Sequence, residues 1–147
     1  MYQTSYVMVK PGFANNLKVI KEVKKRLLKS DLIIEKEGYI SYSKDAAKEH
    51  YHEHVNKSFY PELEEYITSD KAYGMQVSGE DAIAVIRALA GATKNPEPGT
   101  IRYDIPEYLG IERRVTQNVV HSSDSEAAAK TELEIFKGLL KDSEFVM

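Results

Sequence analysis

Hydrophobic and polar residues follow one another along the chain with periods that predict strands and helices in turn. Short apolar or alternating runs bounded by glycine, proline or polar residues indicate strands, and apolar residues three or four positions apart indicate helices. The predicted strands cover residues 5–9, 32–43, 72–77 and 118–121, and the predicted helices cover residues 17–28, 45–55, 61–67, 79–89 and 124–136. Residues 91–117, with three prolines, are predicted to be a long irregular loop, and loops of that length are usually functional.

The order of these elements, β-α-β-α-α-β-α-β-α, favours an α/β (α+β) sandwich. We predict the ferredoxin-like βαββαβ arrangement, in which helices pack on the faces of an antiparallel sheet. The chain has 147 residues, enough for a proper core, and it contains no internal repeat or linker. A single domain over residues 1–147 is therefore expected.

The composition argues against several classes of protein. Net charge is −3, from 20 basic and 23 acidic residues, which argues against a dedicated nucleic-acid surface. The chain has no cysteine and therefore no disulfide, thiolate nucleophile or cysteine-ligated metal. No run approaches the roughly 18 apolar residues that span a membrane, and residues 1–10 contain no long apolar segment, so we expect no signal peptide. We therefore expect a cytoplasmic protein without a membrane segment.

One histidine stands at the junction of a predicted strand and a predicted helix. His121 ends the apolar run, Ser123 and Glu126 follow with the spacing of a capping box, and Asp124 is a second candidate cap. Imidazole titrates near neutral pH, so a histidine that is fixed on one side and open on the other can act as a nucleophile. The positive end of the helix would begin beside this ring, which suits an arriving phosphate group.

Several motifs along the chain match those of a known enzyme family. Residues 118–125 read Asn-Val-Val-His-Ser-Ser-Asp-Ser, and residues 7–11 read Val-Met-Val-Lys-Pro. The other matching segments are Lys-Glu-His-Tyr at residues 48–51, Phe59-Tyr60, Arg87 with Thr93 six positions later, and Pro-Gly-Thr-Ile-Arg at residues 98–102. Over nearly its whole length the chain resembles the nucleoside diphosphate kinases, and the motif around His121 is the most specific part of the resemblance.

This resemblance implies a ping-pong reaction, in which a nucleoside triphosphate, typically ATP, phosphorylates a histidine and a nucleoside diphosphate then takes the phosphoryl group. His121 would form the phosphohistidine, Glu132 would orient its ring, and Ser123 would be a further supporting residue. Arginine is a planar donor suited to phosphate oxygens, and stacking on an aromatic ring has little base preference. The resemblance assigns nucleotide binding to Lys10 and Asn118 (sugar hydroxyls), Phe59 (base), and Tyr51, Arg87, Thr93 and Arg102 (hydroxyl and guanidinium donors).

The resemblance also implies an ion and an assembly. Mg²⁺ would arrive with the nucleotide and bind mainly through its phosphates, so no metal site formed by the protein alone is expected. Family members are commonly homo-oligomers, either hexamers or tetramers, and the sequence does not choose between them. Two segments depart from the family pattern: the turn after Pro11 is shortened, and residues 103–117 are longer, which we interpret as a tolerated loop insertion.

Two rival interpretations remain open. In the first, the chain is a non-catalytic relative that only binds nucleotides; the retention of His121 argues against it. In the second, it is a metal- or nucleic-acid-binding module, because His50 and His54 lie four apart on a predicted helix and Arg113-Arg114 is a basic pair. A solvated helix face and a loop or subunit contact are the favoured interpretations of these two features. The chain has no phosphate loop or dinucleotide-binding glycine motif, so side chains would have to hold any phosphates.

Overall fold

The computed structural model describes residues 1–144. Within them the chain forms four strands, β1 (Tyr2–Val9), β2 (Ile33–Ile40), β3 (Ala72–Glu80) and β4 (Val120–Ser122). It also forms six α-helices, α1 (Leu17–Lys29), α2 (Lys44–His50), α3 (Tyr60–Ile67), α4 (Ala82–Ala90), α5 (Ile101–Leu109) and α6 (Glu126–Glu144). Two single turns of 3₁₀-helix lie at Phe13–Asn15 and His52–His54.

The strands form one antiparallel sheet in the order β2-β3-β1-β4. This order, with helices on both faces, confirms the predicted sandwich and its ferredoxin-like arrangement. Met8 of β1 lies directly opposite His121 of the edge strand β4. Directly opposite residues of an antiparallel pair point to the same face, so the His121 ring shares a face of the sheet with Met8.

Alternate residues of β1 point to opposite faces of the sheet and build two cores. Val7 and Val9 face one core, and Tyr6 and Met8 face the other. Helices α1, α4 and α5 contribute apolar side chains to the first core, whereas α2, α3 and α6 contribute to the second. Helices α2, α3 and α6 therefore lie on the same face of the sheet as the ring of His121.

Residues 101–109, predicted to belong to an irregular loop, form helix α5 instead. Pro106 lies inside this helix, and Gly110 ends it with φ +69°. Ile101 and Ile105 are both buried and lie four positions apart, which is helical spacing. The prolines of the segment are typical of loops, so the helical spacing of the two isoleucines was not recognised in the sequence.

Helix α2 and strand β2 have ends that differ from the prediction. β2 stops at Ile40 rather than at residue 43, because Ser43 caps α2 and its side chain accepts from the Ala46 amide. α2 ends at His50, and a 3₁₀ turn follows, so the predicted helix over residues 45–55 is broken into two pieces.

Three further ends are shifted in the second half of the chain. β3 continues to Glu80, so α4 begins at Ala82 instead of at residue 79. β4 begins at Val120, two residues later than predicted. α6 runs on to Glu144, well past the predicted end at residue 136, because further leucines continue its apolar face against the second core.

The helix after His121 has a different cap from the one predicted. α6 starts at Glu126, and the Ser125 hydroxyl accepts a hydrogen bond from the Ala128 amide at 3.0 Å. The predicted capping box of Ser123 and Glu126 is therefore wrong, since Ser125 occupies the capping position. Ser123 instead lies fully buried beneath the candidate site.

Candidate active site

Backbone hydrogen bonds at both ends of β4 fix the position of His121. The Lys10 amide donates to the Val119 carbonyl at 2.8 Å, and the Ser123 amide donates to the Tyr6 carbonyl at 3.1 Å. Val119 has φ +81°, a left-handed value that a β-branched residue rarely adopts. Backbone strain of this kind persists only where the surrounding structure holds it, and it clusters at functional sites.

Two donors share one carboxylate oxygen of α6. His121 Nε2 and Ser123 Oγ each lie 2.8 Å from Glu132 Oε1. A carboxylate only accepts hydrogen bonds, so Nε2 carries the ring hydrogen and Nδ1 keeps its lone pair. The Ser123 hydroxyl also accepts from the Tyr6 amide at 3.1 Å, which fixes the Ser123–Glu132 pair relative to β1.

Burial sets the charge of the His121 imidazole. Burial, together with the cations Lys10 and Arg102, lowers the pKa of His121 to about 3. The imidazole is therefore neutral at neutral pH, the state in which it can act as a nucleophile. Burial raises the pKa of Glu132, while His50 and the hydrogen bond from Ser123 act in the opposite direction.

A second histidine lies next to His121, on the same face of the sheet. His50 is only 7% exposed, and its ring centroid is 4.6 Å from that of His121. Its Nδ1 lies 3.1 Å from the Tyr42 hydroxyl, whereas its Nε2 is 3.9 Å from Glu132 Oε2 and has no hydrogen-bond partner. The predicted solvated helix face is therefore wrong for His50. The continuous helix that would have placed His54 one turn further along is broken as well.

Lys10 and Asn118 form a joined pair in the same site. Lys10 Nζ donates to Asn118 Oδ1 at 2.7 Å and to the Thr116 carbonyl at 3.0 Å. Burial, with Arg102 nearby, lowers the pKa of Lys10 to about 7. The two predicted sugar-binding side chains therefore lie in contact, with the ammonium group held at the end of β1.

Arg102 connects three elements around the site. Its guanidinium donates to the Gly91 carbonyl at 2.7 Å and to the Val120 carbonyl at 2.9 Å. Its buried Nε has no hydrogen-bond partner. Burial, with Arg87 nearby, lowers the pKa of Arg102 to about 10, so the guanidinium remains charged at neutral pH. The guanidinium groups of Arg87 and Arg102 lie close enough for their positive charges to repel each other, and such a concentration of positive charge attracts an anion.

These groups surround one cavity of about 850 Å³, a size typical of ligand sites. Most of the predicted site residues line it: Lys10, Tyr51, Arg87, Thr93, Arg102, Asn118, His121 and Glu132. Ser123 lies beneath this lining. Phe59 stands outside it and is 48% exposed, with its ring 5.5 Å from that of His54, which does line the cavity.

The sequence interpretation missed several residues of the cavity wall. His50 is the main one, and a signal for it exists, because the buried Ala47 lies one helical turn earlier on the same face. Residues of the first turn of α6, among them Ala127 and Ala128, also line the cavity. These residues place the expected positive helix end beside His121, and a helix N-terminus favours anions.

Arg113, from the basic pair Arg113-Arg114 before β4, contacts other residues of its own segment. Arg113 lies 3.8 Å from the centre of the Tyr103 ring and forms an ion pair with Glu107. Stacking and ion pairing of this kind stabilise the connection between α5 and β4. The contacts support the favoured loop-stabilising interpretation of Arg113.

Comparisons with known proteins agree with this geometry. A family model described as nucleoside diphosphate kinase matches residues 3–139. The nucleoside diphosphate kinase of Methanosarcina mazei is 44% identical over an alignment 148 residues long, which covers 97% of this chain and 90% of that protein. The nucleoside diphosphate kinase of Metallosphaera sedula is 38% identical over 136 residues, which cover 91% and 92% respectively.

Solved structures agree as well. The nucleoside diphosphate kinase from Halobacterium salinarum, solved in complex with CDP, matches with a TM-score of 0.82 at 31% identity, over 92% of this chain and 88% of that chain. The enzyme from Encephalitozoon cuniculi has a TM-score of 0.83 at 24% identity, which shows the fold alone. Since the family model spans most of the chain and the relatives are similar over nearly their full length, the chain belongs to the nucleoside diphosphate kinase family.

Proposed function

We propose that His121 carries the phosphoryl group in the reaction of this chain. Family membership gives the reaction: a nucleoside triphosphate transfers its terminal phosphoryl group to the enzyme, and a nucleoside diphosphate then removes it. The observation that carries the assignment is the 2.8 Å contact between His121 Nε2 and Glu132 Oε1 in the cavity wall. This contact leaves the other ring nitrogen, Nδ1, with a free lone pair.

In the first half-reaction, Nδ1 of His121 attacks the terminal phosphorus. A nitrogen–phosphorus bond forms while the bond from phosphorus to the bridging oxygen breaks, and the nucleoside diphosphate leaves with those electrons. The ring gains positive charge because Nε2 keeps its hydrogen, and the Glu132 carboxylate beside Nε2 stabilises that charge. In the second half-reaction, a terminal oxygen of the acceptor diphosphate attacks the same phosphorus while the nitrogen–phosphorus bond breaks, and its electrons return to Nδ1, so the ring becomes neutral again.

Phosphoryl transfer depends mainly on positioning and on neutralising the charge of the phosphate oxygens. We assign this role to Arg87, Arg102 and Thr93, which line the cavity with His121. Arg102 supports the assignment because its Nε–H has no partner among the described residues while its other nitrogens are held by the backbone. The first turn of α6 adds its dipole on the same side of the cavity.

The remaining predicted residues suit the nucleoside. Lys10 and Asn118, joined at 2.7 Å, present an ammonium and an amide side by side for the sugar hydroxyls. The exposed ring of Phe59 is free to stack on a base, which would allow all nucleobases. Burial raises the pKa of Tyr51, so its hydroxyl stays protonated and can donate to a phosphate.

A divalent cation accompanies nucleotides in kinase reactions, and we propose Mg²⁺. Within residues 1–144, the one cluster of three potential metal ligands is formed by His50, His121 and Glu132. Its two nitrogens suit Mg²⁺ poorly, because this ion prefers oxygen ligands and keeps several waters. The residues present therefore fit Mg²⁺ that is held by the phosphates of the nucleotide.

The assignment is tested by incubating the protein with γ-labelled ATP. We expect one acid-labile, base-stable label per chain, which a nucleoside diphosphate then removes. The His121→Ala variant should take up no label and catalyse no exchange while keeping its far-UV circular dichroism, and the variant Glu134→Ala, at an exposed position of α6, should label normally. Stoichiometric ATP binding without labelling of the wild type would instead support the non-catalytic rival.

We further propose that the chain works as a homo-oligomer in the cytoplasm, where its nucleotide substrates are found. Leu17 and Tyr108 remain exposed and line one surface depression, and neighbouring exposed apolar side chains are typical of surfaces that associate. No helix within residues 1–144 combines the length and hydrophobicity needed to cross a membrane. Sedimentation at several concentrations would distinguish hexamer from tetramer, and a monomer at all of them would contradict the assembly.

A further inference from the structure

The cluster of His50, His121 and Glu132 has the composition of a transition-metal site. One potential ligand atom from each residue lies within 4.8 Å of the other two. Two imidazoles and a carboxylate are common zinc ligands, with bonds of about 2.0–2.2 Å, which place neighbouring ligands of a tetrahedral ion about 3.4 Å apart. The separations from the Glu132 oxygens, 2.8 Å to His121 Nε2 and 3.9 Å to His50 Nε2, lie on either side of that value.

The unpaired Nε2 atom of His50 indicates that this nitrogen can bind a ligand. The residue is 7% exposed, and this nitrogen is buried without a hydrogen-bond partner. Buried polar atoms are rarely left in this state, so each case needs a reason. The other nitrogen, Nδ1, is held by the Tyr42 hydroxyl at 3.1 Å, which in turn lies 2.9 Å from the Tyr6 hydroxyl. Metal-binding histidines usually have their second nitrogen fixed by a hydrogen bond in this way.

We propose that His50, His121 and Glu132 bind one divalent cation of the zinc class, and that the bound ion switches the enzyme off. Nitrogen ligands select such ions over Mg²⁺, so the cation that accompanies the nucleotide does not compete for the site. The binding part of this inference stands on the geometry alone. The inhibitory part rests on the proposed role of His121.

Inhibition follows from the chemistry of imidazole. Without the ion, the ring hydrogen of His121 lies on Nε2 and is donated to Glu132. An ion that bonds to Nε2 needs the lone pair of that nitrogen, so the ring hydrogen moves to Nδ1 and the ring stays neutral. Nδ1 then has no lone pair with which to attack phosphorus. Nucleotide binding, which we assign to other side chains, is retained.

Binding is measured by equilibrium dialysis of the nucleotide-free protein against a chelator-buffered series of free Zn²⁺. We expect one tightly bound Zn²⁺ per chain. Both His50→Phe and His50→Gln should lower the zinc affinity about tenfold or more, because each removes one of three ligands. The second variant keeps a polar side chain in case the first fails to fold. His52→Gln is the matched control and should leave the affinity unchanged, since His52 is exposed, lies two positions away and is not one of the three proposed ligands.

Inhibition is measured at the same free Zn²⁺ concentrations with excess Mg²⁺. We expect labelling by γ-labelled ATP to fall in proportion to zinc occupancy while the dissociation constant of ADP stays within about twofold. Each variant is compared with its own rate without zinc, so any loss of basal activity cancels. The His50 variants should need about tenfold more free zinc for the same inhibition.

Three outcomes would overturn the inference. They are the absence of stoichiometric zinc binding, zinc binding that survives both His50 variants, and labelling that persists at full zinc occupancy. The proposed function fails separately, since it requires labelling of His121 in the absence of zinc. Zinc binding with no labelling under any condition would keep the metal site and remove the kinase role of the histidine.

Discussion

The orientation of the His121 ring depends on one oxygen atom of Glu132, which Ser123 also contacts. Glu132→Gln keeps the shape of this side chain but removes the negative charge that stabilises the phosphorylated ring. We expect kcat to fall by about 100-fold, the size seen when one electrostatic contact to a transition state is removed. KM for ATP should stay nearly constant, because the carboxylate bonds to the histidine and the serine rather than to the nucleotide. Steady-state kinetics measure both quantities.

A matched control for this change lies on the same helix. Glu134 is exposed on α6, two positions away from Glu132. Glu134→Gln makes the same change in charge without touching the histidine, so its kcat should stay close to that of the wild type. Equal losses in the two variants would show that the charge of α6 matters and that the contact with His121 does not.

At the level of single residues, the structure brings most of the predicted site residues to one cavity, and one local assignment differs from the prediction. The role of His121 as nucleophile stays a prediction, and the carboxylate of Glu132 lies beside its ring at 2.8 Å. Ser123 was predicted to cap a helix because its spacing to Glu126 suits that role. Its hydroxyl instead joins Glu132 to the Tyr6 amide, 117 positions earlier in the chain. Such a long-range partner leaves no mark on local spacing.

Arg102 belongs both to the site and to the architecture of α5. Its motif predicts a guanidinium donor that binds the nucleotide, yet the guanidinium also donates to the carbonyls of Gly91 and Val120. Arg102→Ala should therefore slow phosphoryl transfer and also lower the free energy of unfolding by about 1–3 kcal/mol, since two carbonyls lose a charged donor. Single-turnover labelling and urea unfolding measure the two effects. Lys94→Ala, an exposed cation nearby, is the control and should change neither strongly.

The packing of α6 on the sheet depends on a glycine in β3. A Cβ atom at Gly74 would lie 2.5 Å and 2.6 Å from two ring atoms of Phe136 and 3.2 Å from the Tyr6 ring. Gly74→Ala should cost about 1–3 kcal/mol of unfolding free energy, the usual effect of overpacking a filled core. Gly138, within α6, would meet nothing within 4 Å, so Gly138→Ala should stabilise the helix by about 0.5–1 kcal/mol. Urea unfolding of both variants tests the pair, and a stable Gly74→Ala protein would show that the Phe136 ring can move.

The alternation of apolar and polar residues and their helical spacing predicted which strands and helices exist, but placed their ends less accurately. Each predicted strand and helix exists, because one buried face repeated every second or every third to fourth residue is a strong local signal. Helix α5 was missed because prolines in residues 91–117 outweighed two buried isoleucines at helical spacing. The ends of β2 and β3 depend on caps and pairing partners, which are set by the tertiary structure.

Across the whole molecule, positive charge gathers where the sequence shows no cluster. The net charge is −3, yet Lys10, Arg87 and Arg102 meet at one cavity although they come from the end of β1, from α4 and from α5. Composition could not predict this concentration, because it arises from how distant segments pack. The family resemblance could, since it assigns those residues to one ligand. The single domain over residues 1–147 stays a prediction.

The burial of two neutral histidines gives the folded protein a stability that depends on pH. Burial is the main cause that lowers the pKa values of His50 and His121 from 6.5 to about 3. Below pH 6.5 the unfolded chain takes up protons at these rings and the folded chain does not, so stability is lost as the pH falls. Between pH 7 and pH 5 we expect a loss of up to about 2 kcal/mol for each ring in the free energy of unfolding, measured with urea.

The range above pH 5 separates this effect from that of the carboxylates whose pKa values are lowered in the fold. Glu35 and Glu37, whose pKa values are lowered by partners in the fold, begin to act only below their ordinary value of 4.5. Glu132 acts in the opposite direction, because its raised pKa lets the folded state bind a proton first, so the observed loss should be smaller than the sum for two rings. His50→Phe should remove about half of the histidine contribution. Glu132→Gln removes this opposing carboxyl group, and a free energy of unfolding of that variant that is flat from pH 7 to pH 5 would mean that both rings take up protons in the folded protein.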